Sequence, residues 1–303
     1  MKKLLPVFLL AFIFLGCKKS EQITALQETA IGTKYNVKLT MADFGAATAT
    51  MNAPGTKASA AIGDTLKNYA NFLYYRIYNA NGIFIRSVEQ KSTSANFGTI
   101  TEQLPTGTYS ISLVASKAQL SFSSDKTVFN QGSYSPYSNT GWNDVFATSM
   151  SLKVANADLA MMVRLDRQVA GLRLVLEDAI PVDAAKITLM IMNDVGSFKF
   201  TGNDAMGEGY QINLDYPLTA ADKGLKNKAF DSYIGNARDN ISLIIRAYNS
   251  NNNLLIERNL INLKFEKNRR TVVTGDLFSA PTNPTAGFVV SLDPAWTPGT
   301  VKF

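Results

Sequence analysis

Chemistry at a protein site needs groups that hold or move charge near neutral pH, and this 303-residue sequence supplies few of them. It has no histidine and a single cysteine, Cys17, so the usual imidazole base is missing and thiolate chemistry is confined to one position. Glu177 and Asp178 are adjacent, but strand alternation points neighbours to opposite faces, which makes a poor acid and base pair. Asp204 and Glu208 lie in GNDAMGEG (202 to 209), whose spacing lacks the alternating ligands and distant Glu of a calcium loop. That stretch reads as a turn. The residues best suited to recognition are Phe129, Tyr134, Tyr137 and Trp142 in FNQGSYSPYSNTGWND (129 to 144). Aromatics interleaved with small polar residues can stack on sugars or meet a partner protein; the same rings can instead fold back and close a sandwich core. No catalytic or metal-ligating set emerges, and the chain reads as a protein that is not an enzyme.

Cys17 has its own context. Lys2 and Lys3 precede a mostly apolar segment from Leu4 to Leu15, and Gly16 stands immediately before the cysteine. This pattern predicts a secretory signal peptide over 1 to 16, too short for a span of roughly 20 apolar residues. A small residue followed by Cys resembles the lipobox of bacterial lipoproteins, although Phe14 and Leu15 depart from its usual residues. The resemblance implies that the Cys17 thiol carries diacylglycerol, that the chain starts at Cys17 with a further acyl chain, and that no other cofactor is needed. Residues 17 to 33 would be the tether. Acyl chains contribute about 0.8 kcal/mol per buried methylene, enough for several chains to hold a folded body on the outer membrane. Only Glu21 among Lys18, Lys19, Ser20 and Glu21 supplies acidity after the cysteine, so surface exposure is a weaker expectation than attachment.

The 30 basic residues less Lys2 and Lys3 leave 28 against 24 acidic ones. With no basic run beyond Arg269, Arg270 and nearby Lys267, nucleic acid is not an expected partner. The dominant period is two. In KYNVKLTM (34 to 41), Tyr35, Val37, Leu39 and Met41 alternate with Lys34, Asn36, Lys38 and Thr40, the signature of a half-buried strand. Similar runs at 72–79, 82–88, 107–115, 159–165, 170–178, 186–192, 241–248, 253–263, 269–277 and 287–292, separated by Gly, Asn and Pro, predict an all-β chain of antiparallel sandwiches. Short helices are expected near Gly63 to Tyr69 and Ala220 to Lys228.

YRIYNANG-IFIR (75 to 86) and IRAYNSNNNLLIER (245 to 258) share Arg, an apolar residue, Tyr and Asn before a turn. Two such hairpins suggest two domains of similar plan, 34–156 and 157–303. GAATATMNAPGTKASAAIG (45 to 63) has too few large apolar residues to order itself and reads as a loop.

With LPTGTYSISLVAS (104 to 116), DVFATSMSLKVANADLAMMVRLDRQVAGLRLVLEDAIP (144 to 181) and EKNRRTVVTGDLF (266 to 278) in this order, the chain resembles the fimbrillin-like and FimB-type fimbrial anchor lipoproteins of Bacteroidetes. The resemblance implies two tandem transthyretin-like β-sandwiches and fimbrial subunits as partners, joined by strand complementation. In that family, stalk subunits lose their first strand to a protease, whereas anchors keep it. The first arginine after the signal is Arg76, so an arginine-specific protease could not remove strand 34–41 alone; cleavage after Lys34, Lys38 or Lys57 stays open. An anchor or accessory subunit is the favoured reading. The expected partner strand is GFVVSLDPAWTPGTVKF (287 to 303), with Phe288, Val289, Val290, Leu292 and Trp296 as contacts, or else a plain final edge strand. A surface lipoprotein that binds glycans or proteins is the alternative.

Overall fold

The computed structural model describes residues 32–44, 62–124, 127–137, 141–237, 240–279 and 287–293. The described chain is almost entirely strand. Its first set comprises β1 (Lys34–Phe44), β2 (Phe72–Tyr78), β3 (Phe84–Lys91), β4 (Thr99–Pro105), β5 (Gly107–Ser116), a short hairpin of β6 (Leu120–Phe122) and β7 (Ser133–Pro136), β8 (Val145–Val154) and β9 (Leu159–Arg167). The second comprises β10 (Ala170–Leu176), β11 (Ala184–Lys199), β12 (Ala205–Pro217), β13 (Lys228–Ile234), β14 (Ile241–Asn249), β15 (Leu254–Leu263), β16 (Arg270–Gly275) and β17 (Phe288–Asp293). One helix, α1 (Ile62–Tyr69), brings Leu66 against the first core. The region from Ala220 holds a single 3-10 turn, Ala220–Asp222, because β13 begins at Lys228.

Alternation builds the strands as expected. Val37, Leu39 and Met41 are fully buried while Lys34, Asn36 and Lys38 face solvent. Strands β4, β6, β7, β8, β12 and β13 were not legible as such. In β12 the first half is largely exposed, but Tyr210, Ile212, Leu214 and Tyr216 alternate with Gln211, Asn213 and Asp215, a short period that the sequence reading passed over.

Pairing repeats, though not along the hairpin similarity. β1 lies antiparallel to β4 and parallel to β9; β2 pairs β3 and β5; β5 pairs β8. The second set reproduces this: β10 lies antiparallel to β13 and parallel to β16, β11 pairs β12 and β14, and β14 pairs β15. The two similar hairpins are β2–β3, second and third in their set, and β14–β15, fifth and sixth. Their likeness is local turn chemistry. Asn79 Oδ1 accepts from the N–H of Asn81 and Ile83, each at 3.0 Å, and Asn249 Oδ1 accepts from Asn251 and Asn253 at 3.0 and 2.9 Å. Gly82 and Asn252 hold the matching left-handed position, φ 74° and 61°, which Gly and Asn tolerate. β9, beyond the division expected at 156/157, pairs with β1 and β8 and gives Val163 and Leu165 to the first core. β7, on the near side of that division, pairs with β11.

Strand β2 is buried on both faces. Leu73, Tyr75 and Ile77 enter the first core, while Tyr74 and Tyr78 enter the second. Between them Arg76 holds its guanidinium 4.8 Å from the Phe122 ring centroid, a cation–π contact.

A buried ion pair ties β9 to both sets. Arg167 Nε and Nη2 donate to Asp144 Oδ1 and Oδ2 at 2.7 and 2.9 Å, and Nη1 donates to Asn268 Oδ1 at 2.9 Å. Burial raises the Asp144 carboxyl, and the Arg167 charge opposes that rise. Breaking such a pair strands a buried charge. Arg167→Met should therefore lower the unfolding free energy by about 3–5 kcal/mol in urea melts, and adding Asp144→Leu should recover much of the loss.

Candidate functional site

The aromatic segment divides between interior and surface. Tyr134 is 1 % exposed and lies 5.6 Å from the Phe198 ring, and its hydroxyl donates to Asn203 Oδ1 at 3.2 Å. Phe129 is half-buried, 5.2 Å from Tyr78. Trp142 is 4 % exposed; its indole N–H donates to the Val195 carbonyl at 2.9 Å and its ring sits 4.7 Å from Phe198. Gly235 backs the indole so closely that a Cβ there would overlap it. These three rings close the second core, and burial leaves Trp142 no open face on which a sugar could stack. Tyr137, 52 % exposed, is the most exposed of the four. A cleft lined by Tyr74, Arg76, Glu89 and Phe122 encloses about 110 Å³, well below the roughly 300–1,000 Å³ of small-molecule sites.

The C-terminal contacts form a distinct feature. β17 runs antiparallel to β16 from Gly275↔Phe288 to Arg270↔Asp293, at the end of the sheet order β13-β10-β16-β17. Phe288 packs on the second core, whereas Val289, Val290 and Leu292 are 71, 43 and 44 % exposed. Three devices that the sequence reading did not single out seat this strand. A Cβ on Gly275 would overlap the Gly287 carbonyl oxygen and the Phe288 ring, so the seat requires glycine. Arg270, largely buried, forks onto Asp293 Oδ2 through Nε at 3.1 Å and through Nη2. Upstream, Asp178 accepts from the N–H groups of Leu277 and Ser279 at 3.1 and 2.7 Å and from that of Phe278, pinning the chain after β16. Asp178 is thus engaged by three backbone donors, while Glu177, its neighbour, is exposed. Asp204 and Glu208 occupy the β11–β12 turn and the start of β12. Cys17 and Trp296 lie outside the described residues, and among those described no helix is long and apolar enough to cross a membrane.

The buried and exposed rings should separate in mutants. Trp142→Ala should cost about 3–5 kcal/mol of stability by cavity formation, while Tyr137→Ala should change it by less than about 0.5 kcal/mol, as surface changes do. Thermal melts of the two variants check both values.

With this geometry in hand, comparison places the fold. A Bacteroides thetaiotaomicron structure described as a candidate adhesin aligns with TM-score 0.52 at 12 % identity, covering 87 % of this chain and 97 % of its own. Another from the same organism, described as a candidate polysaccharide-binding protein, aligns with TM-score 0.52 at 9 % identity, covering 80 % and 92 %. The fimbrial anchor protein Mfa2 from Porphyromonas gingivalis is also similar, with TM-score 0.47 at 12 % identity over 86 % of this chain and 97 % of its own. No functionally curated sequence matches. Residues 29–300 match a family described as a family of unknown function, DUF6562, and since the match takes in nearly the whole chain, the protein belongs to that family.

Proposed function

We propose that the protein is a non-enzymatic, lipid-anchored subunit of a surface adhesive structure, of the anchor or accessory kind, which joins fimbrial subunits by strand complementation. The observation that carries this reading is β17. It is the last strand in the order of its sheet, it has one described neighbour, and it turns three apolar side chains largely to solvent. Edge strands of that character are normally blunted by charge or proline because their unpaired backbone recruits other chains. Here the exposed edge suits recruitment, by the backbone hydrogen bonding that makes strand addition strong. The folds shared with a candidate adhesin and with a candidate polysaccharide-binding protein agree with a surface role. Cys17, through diacylglycerol and an acyl chain, would supply outer-membrane attachment, and no small-molecule cofactor or nucleic acid enters the reading. β1 supports the anchor form: it is paired on both edges, with β4 and β9, and its inward side chains are fully buried, so its removal would open the first core.

Glycan binding remains a second reading, favoured by the second structural neighbour and by the exposed ring of Tyr137. A glycan array on the intact protein and on Tyr137→Ala decides it: signal lost in the variant supports glycan binding, and a blank array removes it.

Gly275→Val provides the test of the first reading. The branched side chain should expel Phe288 while leaving β16 paired to β10. Limited proteolysis should then cut within 287–293 far faster than in the parent, and cells carrying the variant or Cys17→Ala should shed or lose filaments. Unchanged filament number and attachment in both variants would sink the proposal.

A further inference from the structure

Two buried oxygens at one end of the second strand set lack a donor. Asp194, fully buried, sits where the register between β11 and β12 shifts. Its Oδ1 accepts from the N–H of Val195 at 2.8 Å and of Asn236 at 2.6 Å. Its Oδ2 has no hydrogen-bond partner among the described residues, and neither has Asn236 Oδ1. The Asn236 amide cannot turn to help, since Nδ2 already donates to the Asn193 carbonyl at 2.7 Å. Buried polar atoms are nearly always satisfied, so an orphaned pair on residues in direct contact calls for a shared partner.

We propose that Asp194 takes up a proton in mildly acidic solution and donates it from Oδ2 to Asn236 Oδ1, closing the segment after β13 onto β11. One proton satisfies both atoms. A cation is the poorer fit, because N–H dipoles converge on the same carboxyl and no group of three metal-binding acidic, cysteine or histidine side chains occurs among the described residues. The clasp has a reach beyond itself. The residue after Asp194 offers its carbonyl to Trp142, and the residue before Asn236 is the glycine that backs the indole. Asp194 and Asn236 are thus each one residue removed from a group that touches the indole.

Burial raises the Asp194 carboxyl from 3.8 to about 6, with the N–H groups of Asn236, Val195 and Gly235 opposing the rise. The titratable groups paired across from this stretch are Tyr210, opposite Asp194, and Glu208, opposite Val195, both on β12, and the strand leading to Asn236 carries Asp231 and Tyr233; Arg238 and Asp239 lie outside the described residues. Because the folded state holds the proton more tightly than the unfolded chain, the stabilisation is full below pH about 4 and is lost as pH rises through about 6.

The test is a carboxyl-carbon NMR titration of Asp194 in the intact protein. A midpoint near 6 is expected, and one below 4 overturns the proposal. In a Trp296→Phe background, Trp142 fluorescence should follow the same midpoint, and Asp194→Asn, whose amide replaces the shared proton, should abolish that transition and melt at pH 8 no lower than its parent. A variant that melts lower at pH 8, or calcium that raises the melting temperature of the parent alone, would show that the charged carboxylate is what the fold uses. Asn236→Ala should lower the NMR midpoint by removing the acceptor; an unmoved midpoint also counts against the clasp.

Discussion

Burial of β2 on both of its faces is the constraint on which the rest of the described structure depends. With one cysteine in the chain, no disulfide can form within it, and hydrophobic burial must supply most of the stability. A sheet with one wet face could serve only one core. Because Tyr74 and Tyr78 point away from Leu73, Tyr75 and Ile77, the sheet around β2 closes one core and walls the next. Phe129, Tyr134 and Trp142 complete that wall, so three of the four rings in a segment composed like a recognition loop are spent on packing.

The hairpin β6–β7 strengthens the same joint from the backbone side. It arises between β5 and β8 of the first set, yet β7 hydrogen-bonds to β11 of the second. Arg167 adds a third tie, reaching Asp144 and Asn268 at once. β17 stands at the opposite extreme. Among the described residues it has one neighbouring strand, a glycine seat and the Arg270–Asp293 ion pair, and local stability is expected to be lowest where buried apolar contacts are fewest.

Strand identity was legible where apolar residues alternate, as in β1 and β14, or run together, as in β2 and β10, which are buried on both faces. It failed at β4, whose buried positions alternate with exposed ones over a stretch of mixed Thr, Glu and Gln. β12 was missed although Ile212, Leu214 and Tyr216 turn to the second core, and β9, read as a strand, was assigned to a new domain although its inward residues belong to the first core. The hairpin resemblance between residues 75–86 and 245–258 was real as chemistry, since both turns are caged by an asparagine side chain. It misled as topology, because a turn reports only the few residues that make it. The seat of β17 was illegible for another reason: Gly275, Asp178 and Arg270 are ordinary residues until a distant segment is laid against them.

By itself the sequence determined the all-β class, the absence of histidine, the lone cysteine behind an apolar run, and most strands, since composition and a two-residue period follow from local burial alone. The tertiary structure decided what periodicity cannot encode. It set which strands are neighbours, which aromatics are sealed inside, and which buried acceptors, such as Asp194 Oδ2 and Asn236 Oδ1, lack a donor. Those outcomes depend on contacts between residues tens to more than a hundred positions apart, such as Arg167 with Asn268, whose geometry exists only once both sheets are in place.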